Sequence, residues 1–344
     1  MIRPGKHNLI TDVAGLRVGQ AHDARVRSGV TVLIGDAPMA AAVDMRGGAP
    51  GTRETDALDP SNLAGMADAI VLSGGSVYGL DAASGAVAWL AAKGRGYKLR
   101  PEAPPAPIVP AAILFDLVNG GDKNWGAESP YRALAIKAAE SAGETFALGN
   151  AGAGFGAAAG IYKGGIGSAS AVADGFTTGA LVAANSVGSP LIPGTDVFWA
   201  FALEQAREFG GRRLDNFFDN IPLDLPDDMK GAARPRENTM IAIVATDADV
   251  TRNELKRIAI MAHDGMARAV RPSHTQFDGD TVFAVSTARR AISGERERAV
   301  LYLGSLAADC LARAIARGVY EAETLGPLRA YRDVFAKKLK SGGH

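Results

Sequence analysis

The chain has 344 residues, of which 47% are hydrophobic, and its 37 Lys and Arg balance 37 Asp and Glu. This length allows a large core, and the balanced charge provides no net field to attract nucleic acid or an anionic membrane. A small-molecule or peptide substrate fits better. Residues 1–8 lack the apolar stretch of a signal peptide, and no uninterrupted apolar segment is long enough to span a bilayer. We therefore expect a soluble, cytoplasmic protein.

The first part of the chain alternates apolar runs with glycine-rich turns. Strands are predicted at 30–34, 41–43, 69–72 and 111–115, the last one after a proline-rich extended connection at 101–110. A helix is predicted over 78–92, because small and apolar residues recur there at three-and-four spacing. Its predicted buried stripe consists of Leu80, Ala83, Ser84, Val87, Ala88 and Ala91.

The middle of the chain is rich in glycine between residues 149 and 167. Strands are predicted at 168–173 and 176–185, and Asp174-Gly175 between them is a strong hairpin signal. The glycine run is no dinucleotide fingerprint, because it leads into a hairpin and not into a helix. A helical stretch at 196–209 then precedes a linker at 210–237, whose Asp, Arg and Pro content predicts surface exposure.

The last hundred residues have clear periodicity. A strand is predicted to end at Thr246, and another occupies 281–285. The helix between them opens with a Thr251–Glu254 capping box and buries Leu255, Ile258, Ala262, Met266 and Ala269. A final helix at 295–321 buries Val300, Leu303, Leu306, Cys310 and Ala314. Helices clustered apart from paired strands indicate a layered α+β sandwich with stacked sheets.

The junction Asn238-Thr239 carries the most chemical information. It separates the polar linker from the apolar run 240–245. A cut before Thr239 would give that residue a free α-amino group with a pKa of about 7.7 to 8.0, able to take the proton of its own hydroxyl. Thr239 alone could equally just start a strand, as most threonines before apolar runs do.

Other residues also admit a chemical and a structural interpretation. Lys163 is either a solvated loop lysine or a cation beside a reacting centre, and Asn185 either donates to an oxyanion or caps a turn. Ser76 resembles a nucleophile elbow but has Tyr78 where a glycine is needed, so a serine hydrolase is a minor alternative to a helix cap.

Asp278-Gly279-Asp280 precedes a strand, so both carboxylates would face one side. Such pairs shift each other's pKa or bind a cation, although a solvated turn is the commoner case. His263 and His274 could join them in a metal set, but no metal-binding spacing supports it. We therefore predict no metal.

Taken together, these motifs resemble the DmpA-type family of self-processing hydrolases. The resemblance is carried by Asn238-Thr239, Asp278-Gly279-Asp280, 163–170, 182–185, the opening 8–19 and the turn 72–76. The family includes L-aminopeptidase/D-esterases, β-peptidyl aminopeptidases and 6-aminohexanoate (nylon) oligomer hydrolases. The resemblance implies an αββα four-layer sandwich similar to N-terminal-nucleophile hydrolases. It also implies one catalytic domain, 1–344, that cuts itself into an α chain of 1–238 and a β chain of 239–344.

The resemblance also implies the site. Thr239 would be the nucleophile, Lys163 would lower the pKa of the nucleophile system and orient it, and Asn185 with backbone amides would hold the oxyanion. Asp278 and Asp280 would position Thr239 or bind a substrate ammonium. Threonine after the cut and the two aspartates favour the nylon-oligomer branch, as does Phe115, which stands where the aminopeptidases have a tyrosine that helps hold the oxyanion. Exposure and strain of the linker would favour cleavage. No cofactor is needed, because the chemistry is acyl transfer by a side chain.

Two rival functions stay open at this level. One is a non-enzymatic small-molecule or peptide-binding member of the fold that never cuts itself, and the other is the serine hydrolase that uses Ser76. The substrate of an enzyme could be an α-peptide, a β-peptide, a D-amino acid ester or an aminohexanoate oligomer. The family resemblance implies a homo-oligomer, a tetramer of processed units.

Overall fold

The computed structural model describes residues 2–214, 225–230 and 238–336. In chain order its strands are β1 (Leu16–Asp23), β2 (Ser28–Met45), β3 (Thr52–Arg53), β4 (Met66–Ser73), β5 (Ala111–Ile113), β6 (Ala158–Ala159), β7 (Tyr162–Lys163), β8 (Gly165–Ala173), β9 (Phe176–Ala184), β10 (Ile241–Ala248) and β11 (Thr281–Arg290). The helices are α1 (Asp81–Ala92), α2 (Tyr131–Glu140), α3 (Arg252–Ala269), α4 (Arg296–Tyr320) and the short α5 (Tyr331–Val334).

Strand β2 joins the two parts of the main sheet. The strands lie in the order β3-β5-β4-β2-β11-β10-β9-β8, and β1 also pairs with β2. The first part of β2, from Val30 to Ile34, pairs with β1 and β4, whereas Ala40 to Met45 pair with β11. The pairing with β4 shifts register between Ile34 and Met39. One long strand therefore belongs to both layers of the sandwich.

Three hydrophobic cores show that the molecule has four layers. Alternate residues of a strand face opposite sides of its sheet, and β10 divides accordingly: Ala242 and Val244 pack with α3 and α4, whereas Ile241 and Ile243 pack with β2 and β4. The outer face of the other layer, including Val32, packs against α1 and α2. The order is helices, sheet, sheet, helices, so the predicted αββα α+β sandwich is confirmed.

Several elements follow the sequence closely. The Thr251–Glu254 capping box is present, and all five residues predicted to be buried on α3 are buried. The same holds for the five predicted on α4, among which Cys310 is fully buried, and burial raises the pKa of its thiol to about 12. The hairpin of β8 and β9 forms around Asp174-Gly175, both with positive φ, as a two-residue turn requires.

Three local expectations were wrong. The runs 30–34 and 41–43 lie on one strand, not two. A 3-10 turn occupies Ser76–Leu80, and α1 begins only at Asp81; it buries Ala82, Ala83, Gly85, Ala86 and Leu90, so only Ala83 of the predicted stripe is buried. The segment 196–209 contains just a 3-10 turn, Trp199–Leu203. Small residues on α1 blur the amphipathic signal, because alanine is accepted on either face.

Helix α4 is long and apolar enough to cross a membrane by length and composition alone, with mean hydropathy 1.5. Within the protein, 72% of that window is buried. Its Arg313 makes an ion pair with Glu208 at 2.6 Å. These features are those of a central core helix.

Most of the predicted linker, residues 215–224 and 231–237, lies outside the described residues. The intervening segment 225–230 is described. There Asp228 and Lys230 are half-buried and bonded to the loop that follows β9, so this part is not the fully exposed connection that was expected.

Candidate active site

The strand register brings the predicted site residues to one end of the sheet. Strand β10 lies between β9, which is antiparallel to it, and β11, which is parallel to it. Ile241 pairs with Ala183 on one side and with Thr281 on the other. The residue that precedes β10 therefore lies beside the end of β9 and the start of β11. Thr239, Asn185 and the 278–280 turn meet for this reason, although up to 95 positions separate them in the chain.

The Asn238–Thr239 peptide is buried, with Asn238 1% and Thr239 5% exposed. The hydroxyl of Thr239 donates to the carbonyl oxygen of Asn238, which also accepts from the backbone N–H of Gly279 at 3.1 Å. The N–H of Thr239 donates to the carbonyl of Asn185 at 2.7 Å. The peptide at the predicted cleavage point is therefore not exposed; it is enclosed and held at both its oxygen and its nitrogen.

Gly279 explains why the acidic motif has glycine at its centre. A Cβ at this position would lie 2.7 Å from the Thr239 hydroxyl oxygen and 2.7 Å from the carbonyl oxygen of Ala49. Neither approach is sterically acceptable. Glycine thus lets the turn come close enough for its N–H to reach the Asn238 carbonyl.

Both carboxylates of the pair have protein partners on both oxygens. Asp278 accepts from Val187 N at 3.3 Å and from the N–H and hydroxyl of Thr275 at 3.0 and 2.6 Å. Asp280 accepts from Met240 N at 2.9 Å and from His274. The pKa of Asp278 is raised, mainly by burial and to a smaller extent by the charge of Asp280. The pair fixes the chain on both sides of Thr239.

His274 is a site residue that the sequence suggested only as a metal ligand. Its Nδ1 lies 2.8 Å from Asp280 Oδ2, and its backbone N–H donates to the same oxygen at 3.1 Å. Burial alone would lower its pKa, but the hydrogen bond and charge of Asp280 outweigh burial and raise it. His263 packs edge-on against His274 with ring centroids 4.8 Å apart, and burial lowers the pKa of His263 to about 4.

We expect the contribution of His274 to stability to depend on pH. Because its pKa is raised in the folded protein, protonated His274 stabilises the fold fully below its unfolded pKa of about 6.5, and this contribution disappears as pH rises through the folded pKa. His274→Gln should therefore lower the free energy of unfolding more at pH 5.5 than at pH 8.5, measured by urea denaturation of wild type and variant. An equal loss at both pH values would contradict the Asp280–His274 ion pair.

Asn185 lies at the end of β9 and is 1% exposed. Its side-chain Oδ1 accepts from Ala158 N at 3.0 Å and from Lys230 Nζ at 3.1 Å, and its Nδ2 donates to the carbonyl of Phe115 at 3.2 Å. The amide is thus directly beside Phe115, which by the family resemblance stands where the aminopeptidases have a tyrosine that helps hold the oxyanion. Phe115 contributes its backbone to this contact.

Lys163 is fully buried, and burial lowers the pKa of its ammonium to about 7. The negative charge of Asp116 acts in the other direction but does not outweigh burial. Its ammonium donates to the carbonyls of Gly154 and Gly164 at 3.0 and 2.7 Å. No hydrogen bond joins it to Thr239. The link to the site runs through Ala158, which pairs with Lys163 and donates to Asn185. A solvated loop lysine is excluded.

A cleft of about 320 Å³ opens beside Asn185. Its walls combine apolar side chains with polar groups, and they include Phe115, Asp116, Val118, Ile161, Asn185 and Lys230. Asp116, which was not among the predicted site residues, is a buried carboxylate that accepts from Gly75 N at 2.8 Å. Burial raises the pKa of Asp116, although a hydrogen bond from the Ser28 hydroxyl and the charge of Lys123 act to lower it. No sequence signal singled it out, since it follows an apolar strand as any turn aspartate does.

The remaining candidates fall outside this arrangement. Ser76 has positive φ, and within the part of the chain that the structure describes its hydroxyl bonds to no histidine or carboxylate. It does not cap a helix either. Among the described residues, no group of three or more His, Cys, Asp or Glu could hold a metal ion. A larger groove of about 860 Å³ lies at the turn end of the β8–β9 hairpin, away from Asn185.

Comparison with known proteins agrees with this geometry. The profile described as peptidase family S58 matches residues 8–330. An uncharacterized aminopeptidase of Mycobacterium bovis is 40% identical over 346 aligned positions, which cover 95% of this chain and 98% of that protein. A 6-aminohexanoate-oligomer endohydrolase of Kocuria sp. is 31% identical and covers 82% of this chain and 76% of its own length.

One solved structure extends the comparison to the fold. The L-aminopeptidase D-Ala-esterase/amidase of Ochrobactrum anthropi, described as a variant of the Ntn-hydrolase fold, superposes with a TM-score of 0.69 at 21% identity. The match covers 99% of this chain and 96% of that one. The chain therefore belongs to peptidase family S58, the DmpA-type family of aminopeptidases and amide hydrolases that its motifs resemble.

Proposed function

We propose that this protein is a self-processing amide hydrolase whose nucleophile is Thr239, freed by cleavage between Asn238 and Thr239. The observation that carries the proposal is the enclosed peptide: the Thr239 hydroxyl contacts the carbonyl it would attack, and Gly279 N–H holds the oxygen of that carbonyl at 3.1 Å. Hydroxyl, carbonyl and a donor for the developing oxyanion are thus present together before any cut.

The cleavage would proceed in two steps. Thr239 Oγ loses its proton and bonds to the carbonyl carbon of Asn238, while Gly279 N–H stabilises the negative charge on the oxygen. The C–N bond then breaks, the proton released from Oγ passes to the Thr239 nitrogen, and an ester joins Asn238 to the Thr239 side chain. Water hydrolyses this ester, which leaves a carboxylate on Asn238 and a free α-amine and hydroxyl on Thr239.

In the processed enzyme the free amine would act as base. It takes the proton of Thr239 Oγ as that oxygen attacks a substrate amide, and then gives the proton to the leaving amine. Asn185 Nδ2 supplies a donor to the substrate oxyanion, and the buried ammonium of Lys163 adds positive charge behind Ala158 and Asn185. Water then releases the acyl group from Thr239. No cofactor enters this sequence.

The carboxylate pair has a positioning role in this proposal. Because Asp278 and Asp280 are bonded to protein donors, they fit the first of the two roles considered for them, the fixing of Thr239, better than binding of a substrate ammonium.

We expect Asp280→Asn to slow both processing and turnover about 10-fold or more. An asparagine amide has one accepting oxygen, so it loses either the contact with Met240 N or the two contacts with His274. Fragment formation after expression and initial rates would measure the effect. Asp122→Asn, an exposed aspartate paired with Arg25, is the matched control. Unchanged processing and turnover in Asp280→Asn would remove this carboxylate from the site.

The substrate would be a small peptide or amide oligomer with a free amino end. Relatives named aminopeptidase and 6-aminohexanoate-oligomer endohydrolase support this class. The apolar wall of the cleft fits a hydrocarbon side chain or a polymethylene segment. We also propose that the enzyme is cytoplasmic, because residues 1–8 lack the apolar stretch of a signal peptide. The family resemblance favours a homo-oligomer, a tetramer of processed units.

The decisive experiment is a denaturing gel of purified wild type with intact-mass and N-terminal analysis. Fragments of 238 and 106 residues, the smaller one starting Thr239-Met240-Ile241, would support the proposal. A screen of α-peptides, β-peptides, D-amino acid esters and aminohexanoate oligomers would then define the substrate. A single stable chain of 344 residues, inert on all of these, would overturn the proposal in favour of a binding protein.

A further inference from the structure

The segment 225–230 lies against the candidate active site although it belongs to the linker. The backbone carbonyl of Asp228 accepts a hydrogen bond from Ile161 N at 2.9 Å. Its carboxylate accepts one from the Ser189 hydroxyl at 2.6 Å. Lys230 donates its backbone N–H to Val187 at 2.9 Å. The segment thus connects one wall of the cleft to the loop that follows Asn185.

The side chain of Lys230 reaches the predicted oxyanion donor itself. Its ammonium lies 3.1 Å from Asn185 Oδ1, which also accepts from Ala158 N at 3.0 Å. A reversed amide would place its NH₂ against both of these donors, which is unfavourable because an amide nitrogen cannot accept. Lys230 and Ala158 therefore determine which way the amide of Asn185 points.

This orientation directs the donating end of Asn185 to the opposite side. One N–H of Nδ2 bonds to the Phe115 carbonyl at 3.2 Å, and the other has no partner among the described residues. A cation on the amide oxygen also polarises the group, which strengthens its N–H as a donor. Hydrogen bonds to an ionised group are about twice as strong as neutral ones, so Lys230 contributes more to this effect than the Ala158 amide.

We propose that Lys230 is a positioning residue for turnover, which holds and polarises Asn185 so that its Nδ2 donates to the substrate oxyanion. This inference rests on the proposed function and adds a residue to it. The contacts of Asp228 and of the Lys230 backbone do not involve the scissile peptide, which lies eight positions further along the chain. Lys230 is therefore retained beside Asn185 after cleavage, near the end of the α chain.

The role of Lys230 predicts a specific kinetic pattern. Lys230→Met keeps the length of the side chain but removes the charge, and should lower kcat about 10-fold with KM within about 2-fold, because the interaction acts on the transition state. Lys230→Arg retains a cationic donor and should stay within about 3-fold of wild type. Lys137→Met, which removes an exposed lysine on α2, is the control and should match wild type.

A double variant separates positioning from a structural effect. If Lys230 acts through Asn185, then Lys230→Met should cost nothing further in an Asn185→Ala background, whereas independent effects would add. Lys230→Met and Asn185→Ala should both still be cut, because the scissile carbonyl is held by the N–H of Gly279 and not by the side chain of Asn185. Thermal unfolding would show whether Asn185→Ala folds. If it does not, the test is the comparison of Lys230→Met with Lys230→Arg.

The probe is p-nitrophenyl acetate, an activated ester that acylates a nucleophile without specific recognition, followed by the best amide from the substrate screen. Unchanged kcat in Lys230→Met, or the same 10-fold loss in the Asn185→Ala background, would overturn the role of Lys230 while leaving the proposed function intact. An uncut, inactive wild type would overturn the proposed function, and this inference with it.

Discussion

Thr239→Ala should leave the protein as one chain of 344 residues without amide hydrolase activity. Alanine removes the hydroxyl that contacts the Asn238 carbonyl, so no ester can form and no α-amine is released. Turnover should fall by about 10⁶-fold, the scale seen when a covalent hydrolase loses its nucleophile. A denaturing gel with intact-mass analysis measures the first effect, and amide hydrolysis measures the second.

Thr239→Ser is the matched control for this variant, because it retains the hydroxyl and removes only a methyl group. It should still be cut into fragments of 238 and 106 residues and should keep measurable activity. Normal cleavage of the Thr239→Ala protein would refute Thr239 as the attacking group. Activity that survives in an uncut Thr239→Ala chain would instead favour the serine hydrolase that uses Ser76.

Gly279→Ala should strongly slow self-processing without unfolding the protein. The added Cβ would lie 2.7 Å from Thr239 Oγ and 2.7 Å from the Ala49 carbonyl, so the turn has to move away from the scissile peptide. The Gly279 N–H then leaves the Asn238 carbonyl, and losing one such donor slows acyl transfer by about 10² to 10³-fold. The time course of fragment formation after rapid purification would measure this rate.

Gly143→Ala provides a control with the same chemical change. A Cβ on Gly143 would meet only the Thr145 carbonyl oxygen, at 3.8 Å, which is an ordinary contact. This variant should be processed like wild type. If Gly279→Ala is folded by circular dichroism and is cut at the wild-type rate, then the Gly279 N–H is not needed for cleavage, and another group must hold the oxyanion.

Local patterns in the sequence predicted the last hundred residues well. The buried stripes of α3 and α4 are strongly periodic, and the capping box at Thr251 fixes where α3 begins. The signal was weaker for α1, whose alanines and glycine fit either face, so its stripe was assigned wrongly. Periodicity is informative only where large apolar and polar side chains contrast.

The sequence also named the candidate site residues, but it could not predict their contacts. Thr239, Asn185 and the 278–280 motif came from residue types and family resemblance. Only the tertiary structure shows that Asp280 bonds to Met240 and His274, that Lys163 contacts the carbonyls of Gly154 and Gly164, and that Lys230 reaches Asn185. These partners lie up to 45 positions apart in the chain.

By itself, then, the sequence determined the fold class, the family and the residue at which cleavage is expected. These depend on short-range periodicity and on motifs that are read along the chain. The register of β9, β10 and β11, the passage of β2 through both layers, and the approach of segment 225–230 to Asn185 were decided by tertiary structure. The physical reason is that strand pairing and side-chain contacts join residues distant in sequence, and no local propensity specifies which of them will meet.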